Sequence, residues 1–288
     1  MTQPRINSVQ CLSPAGLHRM AYKEWGDPSN PNVLVCVHGV TRVSDDFDAL
    51  AEAMSDRYRV ICPDVVGRGR SSWLKDPRFY AVPQYVSDMV TLVARLDVPQ
   101  VDWFGTSMGA LIGMALASLP ESPVRRMLMN DVGPALNFSA LARIGDYIGN
   151  DLRFGSFDEG RDYVRSICVP FGPHTDAEWD KLARDVLRQD ADGRWRRHYD
   201  PALALAFRTL TVESAQQGEA ALWAAYDAIR CPVLLVRGAE SDLLTRATAQ
   251  QMSERGPRAK LVEVPGVGHA PTFMHDDQIA LARGFFLD

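Results

Sequence analysis

Three residue types that together perform acyl transfer follow one another along this chain in a workable order: Ser107, Asp242 and His269. Ser107 lies in Gly105-Thr-Ser-Met-Gly109, directly after the apolar run Val101 to Phe104 and before a stretch of small, helix-compatible residues. A serine hydroxyl is a weak nucleophile near neutral pH, so it needs a base within hydrogen-bond reach. The flanking glycines permit a sharp strand-to-helix turn that lifts the hydroxyl above a sheet, and Ala110 adds a further small residue where the helix must approach it. The bare pattern is weakly selective, and the strand before it and helix after it give it weight. The plainer alternative is a serine that only caps a helix.

Imidazole has the right pKa for the base, and His269 is the best placed of the six histidines. It sits in the glycine-rich stretch Val264-Pro-Gly-Val-Gly-His-Ala-Pro271, where a side chain can reach back to the serine. His18 belongs to an N-terminal hairpin, His174 and His198 to the middle of the chain, and His275 to the start of the last helix. His38, between an apolar run and Gly39, suits loop ordering better than proton transfer. The third member must be a carboxylate that fixes the imidazole tautomer. Asp242, in Arg237-Gly-Ala-Glu-Ser-Asp-Leu-Leu244, is the expected acid, with nearby Glu240 solvated. Asp131, in Asn130-Asp-Val-Gly-Pro134, is its rival, with a loop cap as its other reading. Attack on an ester creates an oxyanion that two backbone N–H groups must hold, and Met108 and Val40 are the expected donors.

The elements that must carry these residues follow a strand-helix rhythm. Ile6 to Leu12 and Leu17 to Trp25, split by Ser13-Pro14-Ala15-Gly16, read as an antiparallel hairpin. Val33 to Val37 is a continuous apolar run, as expected of a parallel strand buried on both faces. A helix from about Ser44, a strand from Tyr58 to Cys62, a helix from Pro83 to Leu96 and a strand from Val101 to Phe104 follow. Beyond Ser107 come a helix to Ser118, strands at Val124 to Asn130, Pro232 to Arg237 and Lys260 to Val264, and a last helix from Asp277 to Phe286. Residues 134–228 break this rhythm, with helical periodicity and many aromatics but no comparable buried strand, and read as an inserted helical cap. The core is then 1–133 together with 229–288. Of the cap aromatics Phe138, Tyr147, Phe154, Phe157, Tyr163, Phe171, Trp179, Trp195, Tyr199, Phe207, Trp223 and Tyr226, about a third are expected to line an apolar acyl pocket.

A net charge of −5 gives no electrostatic reason to bind nucleic acid or anionic lipid, and Arg194-Trp195-Arg196-Arg197 reads as a solvated helix face. The stretch from Met1 to Ser8 has no secretory character, and the longest apolar segment, Ala110 to Leu119, is too short to span a bilayer, so a cytoplasmic protein is expected. Cys11, Cys36, Cys62, Cys168 and Cys231 lack metal or redox spacing and read as small buried hydrophobes, and neither a metal nor a cofactor is expected.

Taken together, the motifs resemble those of the α/β-hydrolase superfamily over nearly the whole chain. His38-Gly-Val-Thr41 is similar to its oxyanion loop, Asp64-Val-Val-Gly-Arg-Gly-Arg-Ser71 to its Asp-x-x-Gly-x-Gly-x-Ser loop, and Gly105 to Gly109 to its nucleophile elbow. Gly238 to Asp242 resembles the acid turn and Gly268-His269 the histidine loop. The resemblance implies an α/β fold with a mostly parallel eight-stranded sheet and a cap over its carboxyl edge. A serine rather than an aspartate at the elbow argues against haloalkane dehalogenase or epoxide hydrolase chemistry. What remains is a serine hydrolase of a small to medium carboxylic ester, similar to bacterial carboxylesterases. The alternatives are a lactonase or C–C hydrolase, in which Arg42, Arg68 or Arg70 would bind a second carboxylate instead of pairing at the surface, and a non-catalytic ligand-binding protein on the same fold.

Overall fold

Strands β1 (Arg5–Ser13) and β2 (Gly16–Trp25) form the antiparallel hairpin that the turn-prone Ser13 to Gly16 stretch predicts. The structure, a computed structural model, describes residues 3–208 and 211–287, without the side chains of residues 212 and 214. Met1 and Thr2, with which the N-terminal stretch begins, lie outside the described residues. After the hairpin, β3 (Val33–Val37), α1 (Asp48–Met54), β4 (Arg59–Pro63), α2 (Val82–Leu96), β5 (Val101–Thr106), α3 (Met108–Ala117) and β6 (Val124–Asn130) alternate. The helix expected from Ser44 opens with a tight 3-10 turn, Ser44–Phe47, before α1.

Residues 134–228 hold α4 (Phe138–Ile148), β7 (Arg153–Phe154), α5 (Phe157–Ile167), α6 (Asp176–Val186), β8 (Leu187–Gln189), β9 (Trp195–Arg197), α7 (Leu205–Arg208) and α8 (Val212–Ala228). Then come β10 (Val233–Gly238), α9 (Arg246–Glu254), β11 (Lys260–Val264) and α10 (Asp276–Leu287). Helix α9, amphipathic and capped by Thr245, is not among the expected elements.

The main sheet has eight strands in the order β1-β2-β4-β3-β5-β6-β10-β11, parallel from β4 onward. Its apolar runs are explained by burial on both faces. Along β3, Val33, Val35 and Val37 face the layer that contains α2 and α3, while Leu34 and Cys36 face the layer of α1 and α10. Tyr85, Met89, Leu92 and Leu96 form the buried stripe of α2 at helical spacing. Each such side chain contributes about 1.5–3 kcal/mol by leaving water. Cys11, Cys36, Cys62 and Cys168 are buried, Cys231 is half-buried, and all are free thiols.

Two expectations for 134–228 need correction. The segment is not purely helical, because β7, β9 and β8 form a small antiparallel sheet. Arg194 to Arg197 is therefore no solvated helix face: Trp195–Arg197 is the central strand of that sheet, and Arg197 is buried, donating from Nη2 to the carbonyls of Tyr147 and Asn150. Alternating strand residues, with Trp195 packed on Phe157, mimic a charged helix when read one-dimensionally. Among the described residues, no helix is long and apolar enough to cross a membrane.

Candidate active site

The turn from β5 into α3 places Ser107 at φ 52°, ψ −116°, a sparsely populated conformation for a residue with a side chain. Its neighbours make that turn possible. A Cβ at Gly105 would sit 2.4 Å from backbone atoms of Gly109 and Ala110, and one at Gly109 would sit 1.9 Å from the Val37 carbonyl oxygen. The glycines that the sequence pattern singles out thus allow helix and sheet to touch where the hydroxyl emerges.

His269 follows β11, and its Nε2 lies 3.0 Å from Ser107 Oγ. Its Nδ1 is 2.8 Å from Oδ2 of Asp131, which follows β6. The sequence expectation that Asp242 would meet the imidazole is corrected here. Asp242 lies in the loop after β10 with its side chain 47% exposed, and it pairs with Arg143 of α4 at 2.5 and 3.1 Å. That hydrogen bond holds the Asp242 carboxyl below the usual aspartate range. The Asp131 side chain is fully buried and saturated by donors. Oδ1 accepts from Gly238 N at 2.9 Å, and Oδ2 accepts from Ser241 Oγ at 2.6 Å as well as facing the imidazole. The loop that carries Asp242 therefore supports the other carboxylate, through Ser241 and Gly238. Sequence reasoning passed over Ser241, a hydroxyl three residues beyond the end of β10 that carries no special local signal.

The peptide N–H groups of Val40 and Met108 have no acceptor among the described residues, and that of Met108 opens α3, where helix geometry leaves donors free. The loop after β3 reaches the serine: a Cβ at Gly39 would lie 3.7 Å from Ser107 Cβ. His38 secures this loop. Val65 N donates to its Nε2 at 3.0 Å, so the proton is on Nδ1, which donates to Gly39 O at 2.7 Å. Full burial pushes its pKa down to about 4, which keeps the ring neutral. Asp64 does similar work, accepting from Ser44 N and Arg70 N.

The hydroxyl of Ser107 faces a cavity of about 370 Å³. Val40, Arg68 and Met108 form part of its wall, and Leu141, Ile144 and Leu222 from the 134–228 segment form another part. Of the aromatics expected to line it, only Phe207 does. Most of the others pack within the segment, as Phe154 and Trp179 do around Val164 and Leu182. The cavity's tyrosines, Tyr80 and Tyr85, come instead from the start of α2 and the turn before it. Of the three arginines considered for a carboxylate, Arg42 pairs with Asp46 and Arg70 with Asp45, while Arg68 reaches the cavity. Elsewhere Cys11, His18 and Asp88 converge with ligand atoms within 4.8 Å, but His18 Nε2 already bonds both Asp88 oxygens at 3.0 and 3.1 Å.

The sequence model described as the alpha/beta hydrolase family matches residues 34–282. The 3-hydroxybutyrate-oligomer hydrolase of Cupriavidus necator is 59% identical over 286 residues, 98% of each chain. The 2-(acetamidomethylene)succinate hydrolase of Mesorhizobium japonicum is 27% identical over 82% of this chain and 81% of its own. Among solved structures, an alpha/beta hydrolase from Novosphingobium aromaticivorans superposes with a TM-score of 0.86 at 31% identity, over 100% of this chain and 99% of that one.

Proposed function

This chain belongs to the alpha/beta hydrolase family and is a hydrolase, and on that premise we propose that it is a serine esterase that cleaves short oligoesters of a small hydroxy acid. The observation that carries the reading is the unbroken relay from Asp131 through His269 to Ser107, opening into an apolar cavity. Full-length similarity to a hydrolase named for 3-hydroxybutyrate oligomers supports the substrate class.

In this reading Ser107 Oγ attacks the ester carbonyl carbon as His269 Nε2 takes its proton, and Asp131 stabilises the imidazolium that forms. The N–H groups of Val40 and Met108 hold the oxyanion, each contributing about 3–4 kcal/mol at the transition state. Collapse expels the alcohol, which takes the proton from Nε2, and leaves an acyl group on Ser107. A water deprotonated by His269 then repeats the attack and releases the acid. The 134–228 segment serves as a cap that keeps bulk water from the acyl-enzyme.

The test is turnover of 3-hydroxybutyrate dimer and trimer by the purified protein, together with labelling by a serine-directed fluorophosphonate. Both are expected in the wild type and neither in Ser107→Ala, which should lose roughly 10⁴-fold or more in kcat. Full turnover by Ser107→Ala would remove this residue from the mechanism, and wild-type inertness to every ester and to the label would end the esterase reading.

A further inference from the structure

We propose that Arg68 forms a carboxylate subsite inside the catalytic cavity, so that the ester this enzyme prefers carries a free carboxylate. The proposal rests on the esterase reading and narrows it. Arg68 is 1% exposed, yet no carboxylate of the described residues forms an ion pair with it. Its neighbour in the loop, Arg70, is neutralised by Asp45, with Asp64 close by. A buried cation without an opposite charge is costly, and the arrangement is favourable once an anion arrives.

The hydrogen bonds of Arg68 show which edge is free. Nε donates to the Val40 carbonyl at 2.8 Å, and Nη1 donates to the Val66 carbonyl at 2.8 Å and to Tyr85 Oη at 3.0 Å. Nη2 ends on the thioether of Met108 at 3.3 Å, a weak acceptor. Arg197, also buried and without an ion pair among the described residues, differs here, because its Nη2 ends on two backbone carbonyls. Arg68 also lines the cavity with Ser107, and the other charged residue on that wall, Glu219 of α8, forms no ion pair with it. The guanidinium is thus fixed by three neutral oxygens through Nε and Nη1, and Nη2 is underused on the side nearest Met108. A substrate carboxylate there would gain a charge-assisted hydrogen bond beside both candidate oxyanion donors. In an oligoester of a hydroxy acid, the terminal carboxylate lies only a few bonds from the last ester carbonyl, so it can reach Arg68 while that carbonyl meets Ser107.

The decisive experiment compares two esters that differ only at this terminus: 3-hydroxybutyrate dimer as the free acid and as its methyl amide. Wild type is expected to favour the acid by at least about tenfold in kcat/KM, and Arg68→Met to abolish that ratio whatever both substrates lose, with Arg68→Lys restoring part of it. An unchanged ratio in Arg68→Met, with both substrates slowed equally, would leave Arg68 as a mere clamp on Val40 and Met108 and overturn the subsite. Should Arg68→Met not fold, wild-type inhibition decides. Monomeric 3-hydroxybutyrate should compete with a neutral chromogenic ester at least about tenfold better than 3-hydroxybutyramide, and equal inhibition overturns the proposal. If neutral esters are cleaved without any preference for the acid, the subsite alone falls. If no ester is cleaved, the esterase reading falls, and stabilisation of Ser107→Ala by the dimer acid but not by its amide then judges Arg68 separately.

Discussion

Two carboxylates sit at the ends of neighbouring parallel strands, Asp131 after β6 and Asp242 in the loop after β10, with Asn130 and Val236 in register between them. Either is close to the imidazole in the sheet's plan, but they live in different physical worlds. Asp131 takes a left-handed turn at φ 57°, ties its own N–H to Val236 O at 2.8 Å, and buries its carboxylate among fixed donors. Asp242 stands half in water and is satisfied by an arginine from α4. A buried, pre-oriented acceptor stabilises an imidazolium at little cost in reorganisation, whereas an exposed ion pair is screened and loosely held. The comparison teaches that a strand-end acid is selected by what surrounds it, not by its place in the order of motifs.

The sharpest way to break this comparison is to remove each charge in turn. Asp131→Asn should lower kcat by about 10⁴-fold, because the amide can favour the wrong imidazole tautomer. Comparable activity in that variant, measured by ester hydrolysis with folding checked by circular dichroism, would hand the role back to Asp242. A milder probe acts on the support: Ser241→Ala removes one donor to Asp131 and should cost roughly tenfold in kcat with KM little changed, since a hydrogen bond to a charged group contributes about 1.5–3 kcal/mol.

The same contrast of buried and exposed groups can be read in stability against pH. His38 binds its proton less readily folded, at about 4, than at its ordinary 6.5. Between those values the unfolded chain holds the extra proton, so the contribution of His38 is complete above pH 6.5 and fades on acidification toward pH 4. His38→Gln, whose amide can still accept from Val65 and donate to Gly39, should show a smaller fall in Tm between pH 7 and 5 than the wild type. Taking the difference between the two proteins cancels Asp185, whose carboxyl burial pushes up to about 6 and which acts with the opposite sign. The smallest effect is expected at the exposed acid. Asp242→Asn should change kcat by less than about threefold and stability by about 0–1 kcal/mol, as for other surface pairs. A loss near that of Asp131→Asn would erase the distinction.

Much of this was legible beforehand for physical reasons. Doubly buried parallel strands leave apolar runs, and a strand-to-helix turn that bears a strained serine leaves glycines two residues to either side, so β3, β5, α3 and the elbow can be found by reading. The small sheet around β9 was missed because three-residue strands have too little period to be told from a helix. The cavity wall was misjudged because aromatic content does not reveal direction: Trp179 and Phe154 point into the segment's own core, and Tyr80 and Tyr85 enter from elsewhere.

The sequence by itself determined the α/β architecture, the turn that exposes Ser107 and the loop that carries His269, since these depend on local periodicity and on residues without side-chain bulk. Only the tertiary structure decided that Asp131 faces the imidazole, that Asp242 pairs with Arg143, and that Arg68 is enclosed without an ion-pair partner among the described residues. Those outcomes depend on side-chain direction and on neighbours brought from distant parts of the chain, which no one-dimensional pattern encodes.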